Sequence, residues 1–217
     1  MCFVHSRTKA QLRNENFYER GKSMEPFLKD GQARIRKTFL ELIMRKPIEN
    51  ITVKDICTYA GVSRPLFYSH YDGKYELQEE IEKRLIDGFL SLMLEIRSVG
   101  KIQFYACLNR HDSMYFKKYF EYIKENHEEF YPLLCSNYSN GFSTRFARAI
   151  MNTRLETRKA WKIDVSPEPK ELSLREDILS SLYVSLFSSW LKSNMEISEE
   201  KMSQLLISLW EPIKKFE

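Results

Sequence analysis

Arg64 opens the string RPLFYSHY, in which it is the only long cationic side chain. A guanidinium offers two parallel N–H donors, the geometry that reads guanine O6 and N7 or grips a phosphate. Other donors stand close by in sequence, Thr52 and Ser63 before it and Tyr68, His70 and Lys74 after it, all able to donate to phosphate oxygen. Pro65 offers only apolar contact, of the kind a thymine methyl accepts. This is the chemistry of gripping a polyanion. Catalytic chemistry is not spelled out: there is no G-x-S-x-G, P-loop, H-E-x-x-H or Rossmann string and no convergent acid/base pair, so no enzyme is expected. The four cysteines, Cys2, Cys57, Cys107 and Cys135, form no C-x-x-C pair. Cys107 and His111, four residues apart on a possible helix, lack a third ligand. No metal and no cofactor is expected.

Two short helices joined by a tight turn would aim such donors. After Thr52 comes VKDICTYA, where Val53, Ile56 and Ala60 recur at three- and four-residue steps up to Gly61. Thr52 therefore reads as an N-cap and Gly61 as a C-terminal stop. Ser63 caps a second helix running to Tyr71, with Pro65 in its first turn, where a missing N–H has no intrahelical partner. Upstream, Ile35, Phe39, Leu40, Leu42 and Ile43 give an apolar face to a helix from Gln32 to Arg45, stopped by Pro47. Downstream, Asp72-Gly73 turns the chain into a long helix from Lys74 to Arg97 carrying Leu77, Ile81, Leu85, Phe89, Leu92 and Ile96. Helix, turn and helix together make a helix-turn-helix, whose second helix lies in the major groove. Phe67 and Tyr71 are expected to close the core of this head.

Charge is distributed to match. Residues 1–77 hold 14 Lys and Arg against 9 Asp and Glu, whereas residues 78–217 hold 20 against 21. A basic head on a neutral body suits a polyanion at one end. Residues 1–30, with Arg7, Lys9, Arg13, Arg20, Lys22 and Lys29, read as a flexible basic arm or weak helix. It either enters a minor groove or is a tail upstream of a start at Met24.

ITVKDICTYAGVSRPLFYSHYDGKYEL, residues 51–77, closely resembles the DNA-binding signature of the TetR family of bacterial transcriptional regulators. The likeness rests on Thr52, Ile56 and Ala60, on Gly61-Val62-Ser63 at the turn, on Phe67-Tyr68 and His70-Tyr71, and on Lys74 with Leu77. Pro65 departs from the small residue usual there. The resemblance implies that Tyr68 and His70 touch DNA. It also implies, beyond residue 77, a helical domain that binds a ligand and dimerises through its last two long helices. YFEYIKENHEEFYPLL, residues 119–134, and SSWLKSNMEISEEKMSQLL, residues 188–206, are similar to the variant common in Firmicutes.

The periodicity of the body is helical throughout. Tyr115-Phe116, Tyr119-Phe120 and Ile123 form an aromatic stripe ending near Asn126, and a short helix from His127 to Cys135 follows. Asn140-Gly141 marks a turn before a helix from Phe142 to about Trp161. Residues 162–171, with Pro167 and Pro169, read as a loop, and helices from Leu174 to Asn194 and from Ser198 to about Lys215 close the chain. Only 7 Gly and 7 Pro interrupt 217 residues, where average usage gives roughly twelve per hundred. The expected fold is all-α with about nine helices: an arm over 1–30, a three-helix helix-turn-helix domain over 31–77, and a ligand-binding and dimerisation domain over 78–217.

Within the body, Tyr115, Tyr119, Phe120, Phe142 and Phe146 either wall a ligand pocket or pack as core. Arg145, Arg148 and Arg154 either pair an acidic effector or form a solvated face. Leu182, Leu186 and Trp190, beside Ser181, Ser185 and Ser189, are expected to meet Leu205, Leu209 and Ile213 in a four-helix dimer interface. No apolar run approaches the length of a membrane span, so the expected location is the cytoplasm. The expected function is that of a dimeric repressor on a near-palindromic double-stranded operator, released by a small-molecule effector. The alternative is a coactivator or adaptor that uses the same fold through a protein partner.

Overall fold

Thr52 begins a helix because its hydroxyl accepts the Asp55 N–H at 3.1 Å while the Asp55 carboxylate accepts the Thr52 N–H at 3.1 Å. That reciprocal pair satisfies two of the orphan donors of a helix start. A computed structural model describes residues 30–138, 141–163 and 169–214, with the side chains of 169 and 210–214 excluded. The basic arm, Asn140, Pro167 and the side chain of Ile213 lie outside the described residues. Helix α1 covers 30–43, α2 is Val53–Ala60 and α3 is Arg64–Tyr68. A single 3-10 turn, Ile48–Asn50, links α1 to α2.

Two boundaries in the head fall short of the periodicity, and in the body the helix expected from Leu174 to Asn194 runs from Pro169 to Lys192, taking in the end of the loop expected over 162–171. α1 stops at residue 43 because the Arg45 and Lys46 N–H groups both turn back to the Leu42 carbonyl. α3 stops at Tyr68, where the His70 N–H bonds the Phe67 carbonyl at 3.0 Å and tightens the last turn. Gly61 ends α2 with φ +62, a left-handed conformation, and the Val62 N–H reaches the Cys57 carbonyl at 3.0 Å.

Seven helices build the remainder: α4 Lys74–Val99, α5 Lys101–Asn109, α6 Met114–Glu125, α7 His127–Cys135, α8 Phe142–Ala160, α9 Pro169–Lys192 and α10 Glu199–Lys214. Every regular element among the described residues is helical. α5 is the helix that the apolar spacing does not announce: Phe104, Cys107 and Leu108 are buried while Ile102 lies open. It ends at Asn109, and His111 beyond it has φ 57, so Cys107 and His111 do not share a helical face. α8 and α9 pack most extensively, α10 lies on α6, and α7 lies against α8 and α9.

α4 joins head to body. Leu77, Ile81, Leu85 and Phe89 are fully buried along one side of it. The Phe89 ring meets those of Tyr119, Tyr122, Phe146 and Phe187, with centroids 4.8 to 6.3 Å apart. Gly88, one residue earlier, lets the Tyr122 hydroxyl sit against the helix and donate to the Leu85 carbonyl at 3.0 Å, where a Cβ would overlap it.

Candidate nucleic-acid interface

The head holds its second helix out on a small buried base. Phe67 is fully buried and its ring meets those of Tyr68 and Tyr71. Tyr71 is buried too; its hydroxyl accepts from Gln32 at 3.1 Å and faces Glu80 at 3.4 Å, and Arg36 pairs with Glu80 at 3.2 Å. Burial pushes the Tyr71 phenol up from its ordinary pKa, so it stays protonated in this network. Arg34 from α1 donates to the carbonyls of Ala60 and Gly61 at the end of α2, where a helix favours a cation. α1, α2, α3 and the start of α4 are thereby tied together.

Around this base the donors named by the sequence fall into two groups. Ser63, Arg64, Pro65 and Tyr68 are exposed, Tyr68 with 55% of its surface open. Thr52 is exposed one helix earlier. Ser63 also caps α3, its Oγ accepting the Leu66 N–H at 3.3 Å, so capping and outward display coexist. Arg64 makes no ion pair with any described residue. This open surface at the start of a capped helix is what base reading requires.

Lys74 and His70 are placed differently. The Lys74 ammonium donates to the carbonyls of Ile48, Glu49 and Ile51 at 2.7, 3.0 and 2.8 Å, which engages all three of its protons within the protein. It anchors the turn that presents Thr52. His70 is half-buried against Tyr71, and its Nε2 is buried with no hydrogen bond to protein. The sequence marks both as donors but cannot show which way they face. It gives no hint of Lys46, whose ammonium sits 2.9 Å from the Asp55 carboxylate and, with the Thr52 N–H, holds that carboxyl below its ordinary pKa.

The body contains a cavity of about 60 Å³ between α4, α5, α6, α8 and α9. Tyr119 lines it together with Phe104, Phe116, Trp161 and Tyr183, and Arg154 and Arg158 stand on the α8 wall. Arg154 donates to the buried Glu176 carboxylate at 2.6 Å and lies over the Tyr183 ring. Burial drives the Tyr119 phenol well above its ordinary pKa. Of the five aromatics named as pocket walls, only Tyr119 lines this cavity. Phe120, Phe142 and Phe146 are fully buried core and Tyr115 packs on Phe104. Arg145 faces Glu82 on α4 instead of the cavity.

The expected interface residues also divide. Leu182 and Leu186 are half-buried on α9 beside exposed Ser181, Ser185 and Ser189, whereas Leu205 and Leu209 are exposed on α10, the helix that packs on α6. Trp190 points inward: its ring meets Phe120 and its N–H donates to the Ile197 carbonyl at 2.7 Å. Among the described residues no group of three or more His, Cys, Asp and Glu side chains could hold a metal ion, and no helix is long and apolar enough to cross a membrane.

Known proteins match both parts of this arrangement. The family described as bacterial regulatory proteins, tetR family, matches residues 35–81, the helix-turn-helix and its flanks. A transcriptional regulator C-terminal region matches residues 113–211. The chain belongs to the TetR family of transcriptional regulators. No curated protein matches it. Solved structures of TetR proteins share its fold. A TetR transcriptional regulator from Streptococcus agalactiae is 20% identical with a TM-score of 0.58, covering 87% of this chain and 98% of its own. A tetR-family transcriptional regulator from Streptomyces coelicolor is 22% identical with a TM-score of 0.52, covering 82% and 78%. The dihydroxyacetone kinase operon activator DhaS is 18% identical with a TM-score of 0.52, covering 86% and 97%. As a TetR-family regulator, the chain carries its helix-turn-helix over α2 and α3.

Proposed function

We propose that this TetR-family regulator works as a homodimeric repressor in the cytoplasm, bound to a near-palindromic double-stranded operator and released by a small-molecule effector. Residues 31–77 form the DNA-binding domain and residues 78–217 the effector and dimerisation domain. The observation that carries this reading is the outward row of Ser63, Arg64, Pro65 and Tyr68 on a capped helix whose inner side is the fully buried Phe67. Arg64 reads a guanine and Pro65 touches a thymine methyl. Thr52, Ser63 and Tyr68 hold phosphates, His70 packs behind them on Tyr71, and Lys74 acts by fixing the turn before Thr52.

Dimerisation centres on α9, where exposed Leu174 and Ile178 continue into Leu182, Ser185, Leu186 and Ser189. Trp190 supports that helix from within. Two copies so joined bring two recognition helices onto half-sites about 34–36 Å apart. The effector site is the cavity beside Tyr119. At about 60 Å³ it is smaller than the ~300–1,000 Å³ usual for a bound ligand, so the effector must widen it. Met93 and Ile96 of α4 line it, and widening therefore shifts the helix that carries the head. A ligand that favours the shifted state releases DNA by the same free energy with which DNA excludes the ligand.

Selection of duplexes from a random library by the purified chain tests this reading. A near-palindromic site should emerge, and Arg64→Ala should lose about 1–3 kcal/mol at one base position. An Arg64→Ala protein that selects the unchanged site with unchanged preference would sink the base-reading role. A second reading, the coactivator or adaptor, draws on the small size of the cavity and on the fold shared with an operon activator. Co-purification of a stoichiometric protein partner in place of a metabolite would favour it.

A further inference from the structure

One polar clasp crosses the seam between head and body, and a second braces α4, the helix that carries the head, against the body. The first is Ser136, at the end of α7. Its hydroxyl donates to the Ile43 carbonyl at 2.7 Å and accepts the Tyr138 N–H at 3.1 Å, which orients it. That carbonyl lies in the last turn of α1, and the residue four places on, which would normally supply its donor, is Pro47. Among the described residues, the head therefore ends its first helix with an acceptor that the body satisfies.

The second clasp is Arg145 in the first turn of α8. It grips the Glu82 carboxylate of α4 with two parallel bonds, Nε to Oε2 at 2.8 Å and Nη2 to Oε1 at 2.7 Å. Glu82 is buried, and Gln78 donates to the same carboxylate. Eight residues towards the N-terminus, about 12 Å along the helix, Lys74 holds the carbonyls before Thr52. The first clasp holds the end of α1 to the body, and the second holds the helix from which the head projects, so the head is braced at two points.

We propose that Arg145 and Ser136 are positioning residues for DNA recognition: together they set the separation of the two recognition helices and hence the half-site spacing that the dimer accepts. The inference rests on the dimeric DNA-binding reading above. Adding one base pair between half-sites moves the second by about 3.4 Å along the duplex and rotates it. A rigid head tolerates neither change. Nothing in this role involves contact with a base, so half-site sequence preference stays independent of it.

The experiment uses the full chain and a site selected from random duplex, remade with one base pair added or removed at its centre, beside a single half-site duplex. Wild type should lose about tenfold in affinity at either altered spacing, the order of a single mismatch. In Arg145→Lys, which keeps the charge but not the fork, and in Ser136→Ala, the loss should shrink to about threefold or less, with single half-site affinity unchanged. Ser136→Thr, which keeps a hydroxyl, should restore the wild-type spacing profile and separates positioning from simple loss of packing. Retention of the full spacing penalty in both clasp variants overturns the proposal, as does an equal loss at every spacing and at the half-site. If wild type selects no duplex at all, the DNA-binding reading fails and this inference falls with it.

Discussion

α2 and α3 have eight and five residues, while α8 and α9 have 19 and 24. Helices of the first kind are far below the length at which an isolated helix holds itself, and here their ends are tied by side chains: Thr52 with Asp55, Ser63 on Leu66, Arg34 on the last carbonyls of α2. The long helices of the body have fewer such ties, but their rings interlock, with Phe89, Phe120, Phe146 and Phe187 all fully buried. The head sets its short, side-chain-tied helices on a buried base of its own, with Ile35, Phe39, Ile51, Ile56 and Phe67 fully buried; the body adds interlocking rings along long helices. A regulator gains from the division, because capped ends let a helix as short as α3 keep one side exposed while Phe67 anchors the other.

The largest test of this contrast is removal of a ring from each part. Phe67→Ala and Phe146→Ala should each destabilise by about 3–5 kcal/mol. Amide exchange should separate them, rising within 31–77 for Phe67→Ala and across the body for Phe146→Ala. Equal spread in both variants would mean that the head has no stability of its own. Next, Lys74→Met should destabilise by about 1.5–3 kcal/mol, because three carbonyls lose a charged donor. The slope of log affinity against log salt should stay unchanged; a slope reduced by about one would make Lys74 a phosphate ligand after all. Thr52→Ala and Ser63→Ala should each cost about 1 kcal/mol through lost capping, read as a lower urea midpoint.

The smallest effect is one of pH. The Asp55 carboxyl sits below its ordinary pKa, first through the Lys46 ammonium and then through the Thr52 N–H. Its contribution is therefore fully present above the unfolded value, about 3.9, and is lost as pH falls through the lower folded one. The melting temperature should decline across that window, and Asp55→Asn should decline less. A decline of the same size in both would assign it to other carboxylates.

The same division explains what could be read in the sequence. Thr52, Gly61 and Ser63 act on neighbours within four residues, so the boundaries of α2 and the start of α3 could be placed to the residue. The aromatic stripe of α6 was legible as an inward face, but its partners were not: Tyr119 meets the cavity while Phe120, one position on, meets Trp190 and Phe187. Periodicity reports that a side is buried and is silent about what buries it. The pairing of α8 with α9, and of α10 with α6, escaped for that reason. So did the direction of Lys74, whose three acceptors lie 23 to 26 residues away in sequence.

The notch at Gly88 bears on how the head can move. With the Tyr122 hydroxyl seated in it and bonded to the Leu85 carbonyl, α4 and α6 mesh like a tooth in a gear. Turning α4 about its own axis would drive a neighbouring side chain into that hydroxyl, whereas tipping α4 end over end leaves the tooth in place. On the dimeric, effector-released reading proposed above, motion passing from the cavity to α3 would be channelled into a swing, which would keep the same side chains facing the bases and alter how far apart the two heads stand.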